Sequence, residues 1–142
     1  MAPTLIARYI DPGILKLVWH DFAWIGEESR QAAQAARCAG RQGKFWEYHD
    51  TLYNNQRGEN RGQFAADNLK GFASGLGLDA DALGNCLAQG ADLVQIRQEL
   101  ADARQMGITA TPYFFLNGQR LVAGNVETFT RAIETERAKL GV

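Results

Sequence analysis

Thr111-Pro-Tyr-Phe-Phe-Leu-Asn-Gly-Gln-Arg-Leu-Val122 decides the fold class. Asn117-Gly118 is the strongest short hairpin signal in the chain. Both centres of a tight two-residue turn need positive φ, which Gly adopts freely and Asn tolerates. The flanking runs, Thr111–Leu116 and Gln119–Val122, are predicted as two short antiparallel strands. Downstream, Asn125 is placed to cap a final helix with Val126, Phe129, Ile133 and Leu140 on its core face. Upstream lies a long helical stretch that the hairpin must close against.

That stretch reads as a series of amphipathic segments. Glu27–Ala39 has acids in its first turn and stops at Gly40, which suits the polarity of a helix and its left-handed cap. Phe45–Tyr53 carries Phe45, Tyr48 and Leu52 at helical spacing. Gln56–Gly62 is polar and reads as a loop. Phe64–Leu76 puts Ala65, Leu69, Phe72 and Leu76 on one face. Asp79 is an N-cap for a short helix bearing Leu83 and Leu87, four apart. Asp92–Met106 turns Leu93, Ile96, Leu100 and Ala103 inward and ends at Gly107. Before these helices, Thr4–Ile10 is short and apolar-rich, and Asp11-Pro12-Gly13 marks a turn. Ile14–Phe22 is rich in branched and aromatic residues and is predicted as a strand buried on both faces. Six helices, five of them before the hairpin, against three strands exclude an all-β fold and point to an α/β sheet with a helical insertion.

The 142 residues amount to one domain's worth of chain. Hydrophobic residues are 46% and charged residues 22%, ordinary values for a packed globular protein and not for a disordered one. No apolar run reaches the roughly 18–20 residues of a membrane span. The lead, Met1-Ala-Pro-Thr, lacks a basic region followed by an apolar stretch, so no targeting segment is expected. Fifteen basic against sixteen acidic residues argues against a nucleic-acid partner or a membrane-surface binder.

Two cysteines, Cys38 and Cys86, lie far apart, and no Cys-x-x-Cys occurs. An oxidising compartment would allow them to join; a reducing one would keep both as buried thiols. A zinc site built from Cys38, Cys86, His20 and His49 lacks paired ligand spacing, so no metal and no cofactor is expected. Trp46, Tyr48, His49 and Tyr53 read as packing of an amphipathic helix rather than a ligand box. His20-Asp21 reads as a polar pair at a strand end rather than a base and its orienter. Gly40 and Gly43 around Arg41-Gln42 lack the context of a phosphate loop and read as a helix break.

Three pieces of the chain together resemble the DsbA-like thiol–disulfide oxidoreductases. Val18-Trp-His-Asp-Phe22 with Arg37-Cys-Ala-Gly-Arg-Gln-Gly-Lys-Phe-Trp-Glu-Tyr-His-Asp50 resembles the start of that family's helical insertion. Met106-Gly-Ile-Thr-Ala-Thr-Pro-Tyr-Phe-Phe-Leu-Asn-Gly118 resembles its Gly-Thr-Pro strand and hairpin, and Gly124 to Ile133 resembles its closing helix. The likeness runs from about Leu5 to about Leu140. It implies a thioredoxin-like sheet in residues 1–22 and 107–142, with residues 23–106 as a helical insertion. It also implies a cis bond at Thr111-Pro112, a state adopted by only about 5–6% of X–Pro bonds. In the family, the residue before this proline offers backbone hydrogen bonds to a bound substrate strand, which makes Thr111 and Pro112 the candidate substrate-binding residues.

The departure from the family is large. Members begin with a strand leading into a helix that carries Cys-x-x-Cys, and this pair supplies the chemistry through a thiolate at a helix N-terminus. Here neither is present, and Thr4–Ile10 aligns with the end of that helix. The chain therefore reads as an incomplete thioredoxin-like part with the first βα unit missing, a truncated form with no catalytic residue and no activity of its own. The slot left beside Ile14–Phe22 exposes apolar sheet edges, which predicts a repaired sheet, a homodimer through those edges, or poor solubility. The intact family protein would act on exported or unfolded polypeptides in an extracytoplasmic setting, periplasmic or cell-surface. Some members also carry a second, non-catalytic disulfide in the helical part, which implies a Cys38–Cys86 bridge. The rival reading is a non-catalytic thioredoxin-like module that uses the cis-proline groove to hold peptide. A third is a glutathione-dependent isomerase or transferase of similar architecture.

Overall fold

The computed structural model describes residues 3–122 and 124–141. Met1 and Ala2, which open the lead considered above, lie outside the described residues, as do Ala123 and Val142. The chain divides into two compact units, Met1–Trp19 with Ile108–Val142 and, between them in sequence, His20–Gly107.

The first unit holds the hairpin. Strands β1 (Phe114–Leu116) and β2 (Gln119–Leu121) pair antiparallel, with Phe114 opposite Leu121 and Leu116 opposite Gln119. Asn117 at φ 49° and Gly118 at φ 79° make the turn, as their residue types require. The final helix, α7 (Val126–Leu140), starts on Asn125, whose side chain accepts from the Thr128 N–H at 3.0 Å. At the other end of the chain, a short α1 (Pro3–Leu5) widens into a π-helical turn at Ile6–Ile10. Leu5, Tyr9 and Ile133 form the buried centre, with Leu15, Leu116, Val126 and Phe129 packed on it. Tyr9 is fully buried, and its hydroxyl donates to Glu134 Oε1 at 2.7 Å. This bond keeps Glu134 below the ordinary carboxylate range, while burial pushes the Tyr9 phenol up.

Ile14–Phe22 corrects the expectation of a doubly buried strand. The segment forms no ladder, and the sheet described is the two-stranded β1–β2 pair. Leu15 and Leu17 are half-buried, whereas Ile14, Lys16 and Val18 are exposed, Val18 at 57%. The period-two burial of an extended chain is present from Ile14 to Val18, but only one face is covered. Composition signalled the extended backbone. Apolar side chains alone could not supply a partner strand for its N–H and C=O groups.

The second unit is helical: α2 (Glu27–Gly40), α3 (Phe45–Asn55), α4 (Ala66–Gly75), α5 (Ala80–Gln89) and α6 (Leu93–Gln105). Its core joins Ala35, Ala36, Cys38 and Ala39 of α2 to Tyr48 and Leu52 of α3, Leu69 and Ala73 of α4, and Leu83 of α5. The alanines let the neighbouring helices approach α2 closely. Of the α3 aromatics, Tyr48 is fully buried and donates to the Leu69 carbonyl at 2.8 Å, while Trp46 and Tyr53 are exposed. Asp79 caps α5, accepting from the N–H groups of Asp81 and Ala82. Gly26 sits at φ 136°, a backbone conformation strained for any other residue, and a Cβ there would lie 2.5 Å from Asn60 Oδ1, so the Asn60 side chain that bonds the Ile25 carbonyl would have to shift. Glu28 ties the loop before α4 to α2 by accepting from Gly62 N and Phe64 N.

A charged cluster fixes the start of this unit. Arg37 Nε donates to Asp21 Oδ2 and Arg37 Nη2 donates to Glu99 Oε1, each at 2.7 Å. Glu99 Oε2 accepts from the Asp21 backbone N–H, also at 2.7 Å. The three side chains are 17%, 6% and 16% exposed. Burial pushes the Glu99 carboxyl up, but the Arg37 guanidinium and the Asp21 N–H outweigh it and hold the group below its ordinary value of 4.5. Asp21 is thus paired with α2 and α6. Replacing Arg37 by Met leaves two carboxylates facing each other without their cation, and is expected to cost about 3 kcal/mol in urea unfolding. Because the folded pKa of Glu99 is depressed, its stabilisation is complete above pH 4.5 and is lost as pH falls through the folded value. Glu99→Gln should therefore lower stability at pH 7 and flatten its decline below pH 4.5. An unchanged acid limb in that variant would contradict this assignment.

Candidate functional site

Two places carry the residues singled out from the sequence, one in each unit. In the first unit, the Thr111–Pro112 peptide bond is cis and leads directly into β1. Thr109, Ala110, Thr111 and Pro112 are all exposed, while Ile108 just before them is buried at 7% and anchors the segment. The backbone groups of Thr109, Ala110 and Thr111 form no hydrogen bond among the described residues. An exposed run with open N–H and C=O groups, bent at Ala110 and Thr111 and leading into β1, can take another strand. Beside it, Tyr113 and Phe115 stand with ring centroids 5.3 Å apart, and the Arg120 guanidinium lies 4.8 Å from the Tyr113 ring centroid. On the opposite face, Phe114 meets Phe129 of α7 edge-on at 4.9 Å and holds the hairpin down. The aromatic run was legible as a strand. The role of Arg120 was not, because the contact arises only once the hairpin register is set.

In the second unit, Cys38 and Cys86 are bonded, with an S–S distance of 2.01 Å and Cα atoms 6.0 Å apart. Cys38 is near the end of α2 and is 2% exposed; Cys86 is on α5 and half-buried. Gln34, also buried, donates to the Cys86 and Leu87 carbonyls and so braces the same helix pair. Arg41 lies across the bond, with Nη1 2.8 Å from Cys86 Sγ and Nη2 2.9 Å from Asp92 Oδ1. Neither Arg41, weighed only within the Gly40–Gly43 helix break, nor Asp92 was picked out from the sequence as a neighbour of the cysteines. Their spacing from Cys86 gives no local pattern. One oxygen of Asp92 lies within 4.8 Å of both sulfurs, but sulfurs engaged in a disulfide are not thiolate ligands for a metal. Arg41 follows directly on α2, and Gly43 at φ 78° turns the chain toward α3, the geometry of a helix break and not of a phosphate loop.

Comparison with known proteins places this architecture. The oxidised form of BdbD from Bacillus subtilis superposes with a TM-score of 0.84 at 21% identity, over 96% of this chain and 76% of that one. The fold is thus α/β and thioredoxin-like. The family model described as Thioredoxin matches residues 1–135, and the chain belongs to that family, with a DsbA-like thioredoxin fold. The probable disulfide bond formation protein D of Bacillus cereus is 24% identical over 141 residues, 96% of this chain and 65% of that protein. Two further relatives have another name. The Na(+)/H(+) antiporter NhaA 1 of Salinispora arenicola is 37% identical over 103 residues, 72% of this chain and 15% of that protein. The Na(+)/H(+) antiporter NhaA of Herminiimonas arsenicoxydans is 34% identical over 107 residues, 75% of this chain and 16% of that protein. The chain spans about one-sixth of the length of these antiporters.

The disulfide closes a loop of 48 residues. By chain-entropy reasoning, such a closure stabilises by about 4 kcal/mol, an upper figure where the opened chain keeps structure. Cys38→Ala with Cys86→Ala should lower the unfolding free energy by up to that amount without changing the helical content. Intact mass after denaturing alkylation gives the direct check on oxidised material. No alkylated thiol is expected before reduction and two after it.

Proposed function

We propose that this chain is a DsbA-like domain that binds extended polypeptide along Thr109–Pro112 and does not run a dithiol–disulfide cycle from its own residues. The observation that carries this reading is the open backbone of Thr109, Ala110 and Thr111, exposed and leading into β1. A peptide laid beside it gains main-chain hydrogen bonds as an added strand, and Tyr113, Phe115 and Arg120 offer aromatic and cationic surface alongside. Catalysis in the family needs two cysteines close in sequence, and the 142 residues contain none so placed. Their two cysteines are engaged with each other in the helical unit.

In this reading Thr111 and Pro112 are substrate-binding residues, and residues 23–106 are a helical insertion in a thioredoxin-like part. The partners are unfolded or exported polypeptides, and an extracytoplasmic setting is supported by the disulfide, since cytosolic thiols are normally kept reduced. No helix among the described residues is long and apolar enough to cross a membrane. Matching stretches of two antiporter chains support a domain that also works as one part of a longer protein.

The test has two arms. Reduction of insulin by dithiothreitol should proceed at the background rate in the presence of this chain; a clear acceleration would overturn the claim of catalytic silence. Fluorescence anisotropy with a labelled, cysteine-free extended peptide should show saturable binding. Thr111→Pro removes the N–H that the added strand needs, and should weaken binding about tenfold, the equivalent of one to two hydrogen bonds. Equal affinity in the variant, with circular dichroism unchanged, would place the binding elsewhere.

A further inference from the structure

The polar groups around the Cys38–Cys86 bond interact better with an opened pair than with a closed one. Cys38 is 2% exposed while Cys86 is half-buried, so the Cys86 side of the bond is the one nearer to solvent. Arg41, itself 52% exposed, reaches the Cys86 sulfur with Nη1 at 2.8 Å. A guanidinium gains far more from a thiolate than from a neutral disulfide sulfur. Asp92, whose Oδ1 accepts from Arg41, keeps its other oxygen, Oδ2, buried and without a hydrogen-bond partner among the described residues. A buried carboxylate oxygen without a donor is costly. A disulfide has no hydrogen to offer it, but a thiol freed by opening the bond has one, and one carboxylate oxygen of Asp92, Oδ1 or Oδ2, lies within 4.8 Å of both sulfurs, near enough for a freed thiol to reach the group on moving toward it.

We propose that Cys86 is a thiol-exchange site that takes low-molecular-weight thiols. The thiolate attacks Cys86 Sγ, a mixed disulfide forms there, and Cys38 leaves with the bonding electron pair. The proton given up by the incoming thiol returns to Cys38, whose S–H then donates to Asp92. A second thiolate attacks the small-molecule sulfur of the mixed disulfide and releases Cys86 as a thiolate facing Arg41. In total, two thiols are oxidised to one small disulfide, and Cys38 and Cys86 are reduced by the same two electrons. The exchange is stoichiometric. It stands apart from the peptide-binding reading, which rests on Thr109–Thr111 and survives if this one fails.

Glutathione is the probe. The folded, oxidised protein is mixed with it under native conditions, quenched with an alkylating agent, and mapped by mass spectrometry. The expected product carries glutathione on Cys86 and the alkyl group on Cys38, and its rate of formation rises in proportion to glutathione concentration. Arg41→Met should slow that rate about tenfold, because the cation beside Cys86 Sγ draws the incoming thiolate to that sulfur, an ordinary effect for a partly screened charge, and Arg41→Lys should restore part of it. An adduct on Cys38, or no opening of the bond in the folded protein, would overturn the proposal. So would a rate independent of glutathione, which reports unfolding instead. These outcomes are read on the unmodified sequence, so they decide the matter even if Arg41→Met does not fold.

Discussion

The helical unit depends on one guanidinium. Arg37 takes the carboxylates of Asp21 and Glu99 on two different nitrogens, and Glu99 turns its second oxygen to the Asp21 N–H. Three segments far apart in sequence are thereby held to one point: the end of the extended run, α2 and α6. The planar fork of arginine allows this, because its donors diverge in fixed directions while staying in one plane. A lysine would present a single point charge and could not hold both acids with the same geometry. The cost of taking these charges from water is offset only while all three partners are present.

Helix α2 is the hub of that unit. One face gives small residues to the core, where Ala35, Ala36 and Ala39 admit Tyr48, Leu69 and Leu83 of the neighbouring helices. Its C-terminal half carries Arg37, Cys38 and, one step beyond, Arg41. Electrostatic, covalent and sulfur–cation contacts therefore all arise within two turns of one helix. The first unit is built differently. It joins a hairpin to α7 and to the opening turns around a small centre at Leu5, Tyr9 and Ile133. The two units separate two kinds of chemistry. The sulfur chemistry of the chain lies in His20–Gly107, and the exposed backbone beside Pro112 lies in the other unit.

Helix positions and the hairpin were legible in the sequence because their determinants are local. Asp79 and Asn125 cap the helices expected of them, and Asn117-Gly118 adopts the positive φ pair that their residue types favour. Ile14–Phe22 was not legible in the same way. Its composition suits a strand, but a strand exists only where another backbone accepts its bonds, and side-chain type carries no information on that. The Arg37 cluster was likewise hidden, since its members are separated by 16 and 62 residues and follow no period. Arg41 and Asp92 escaped for the same reason: 51 residues separate them. The fold was therefore readable from short-range chemistry and a family resemblance. The charged contacts that hold it, and the surroundings of the disulfide, required the assembled chain.

Holding polypeptide without redox turnover requires backbone groups kept open at Thr109–Thr111. Amide hydrogen exchange measures those groups one residue at a time. In the free protein, the amides of Thr109, Ala110 and Thr111 should exchange near the rate of unstructured chain, while those of α2 are strongly protected. Saturation with an extended, cysteine-free peptide should slow exchange in this segment and leave α2 unchanged. Protection of these amides in the free protein, or the same fast exchange at saturating peptide, would contradict the account.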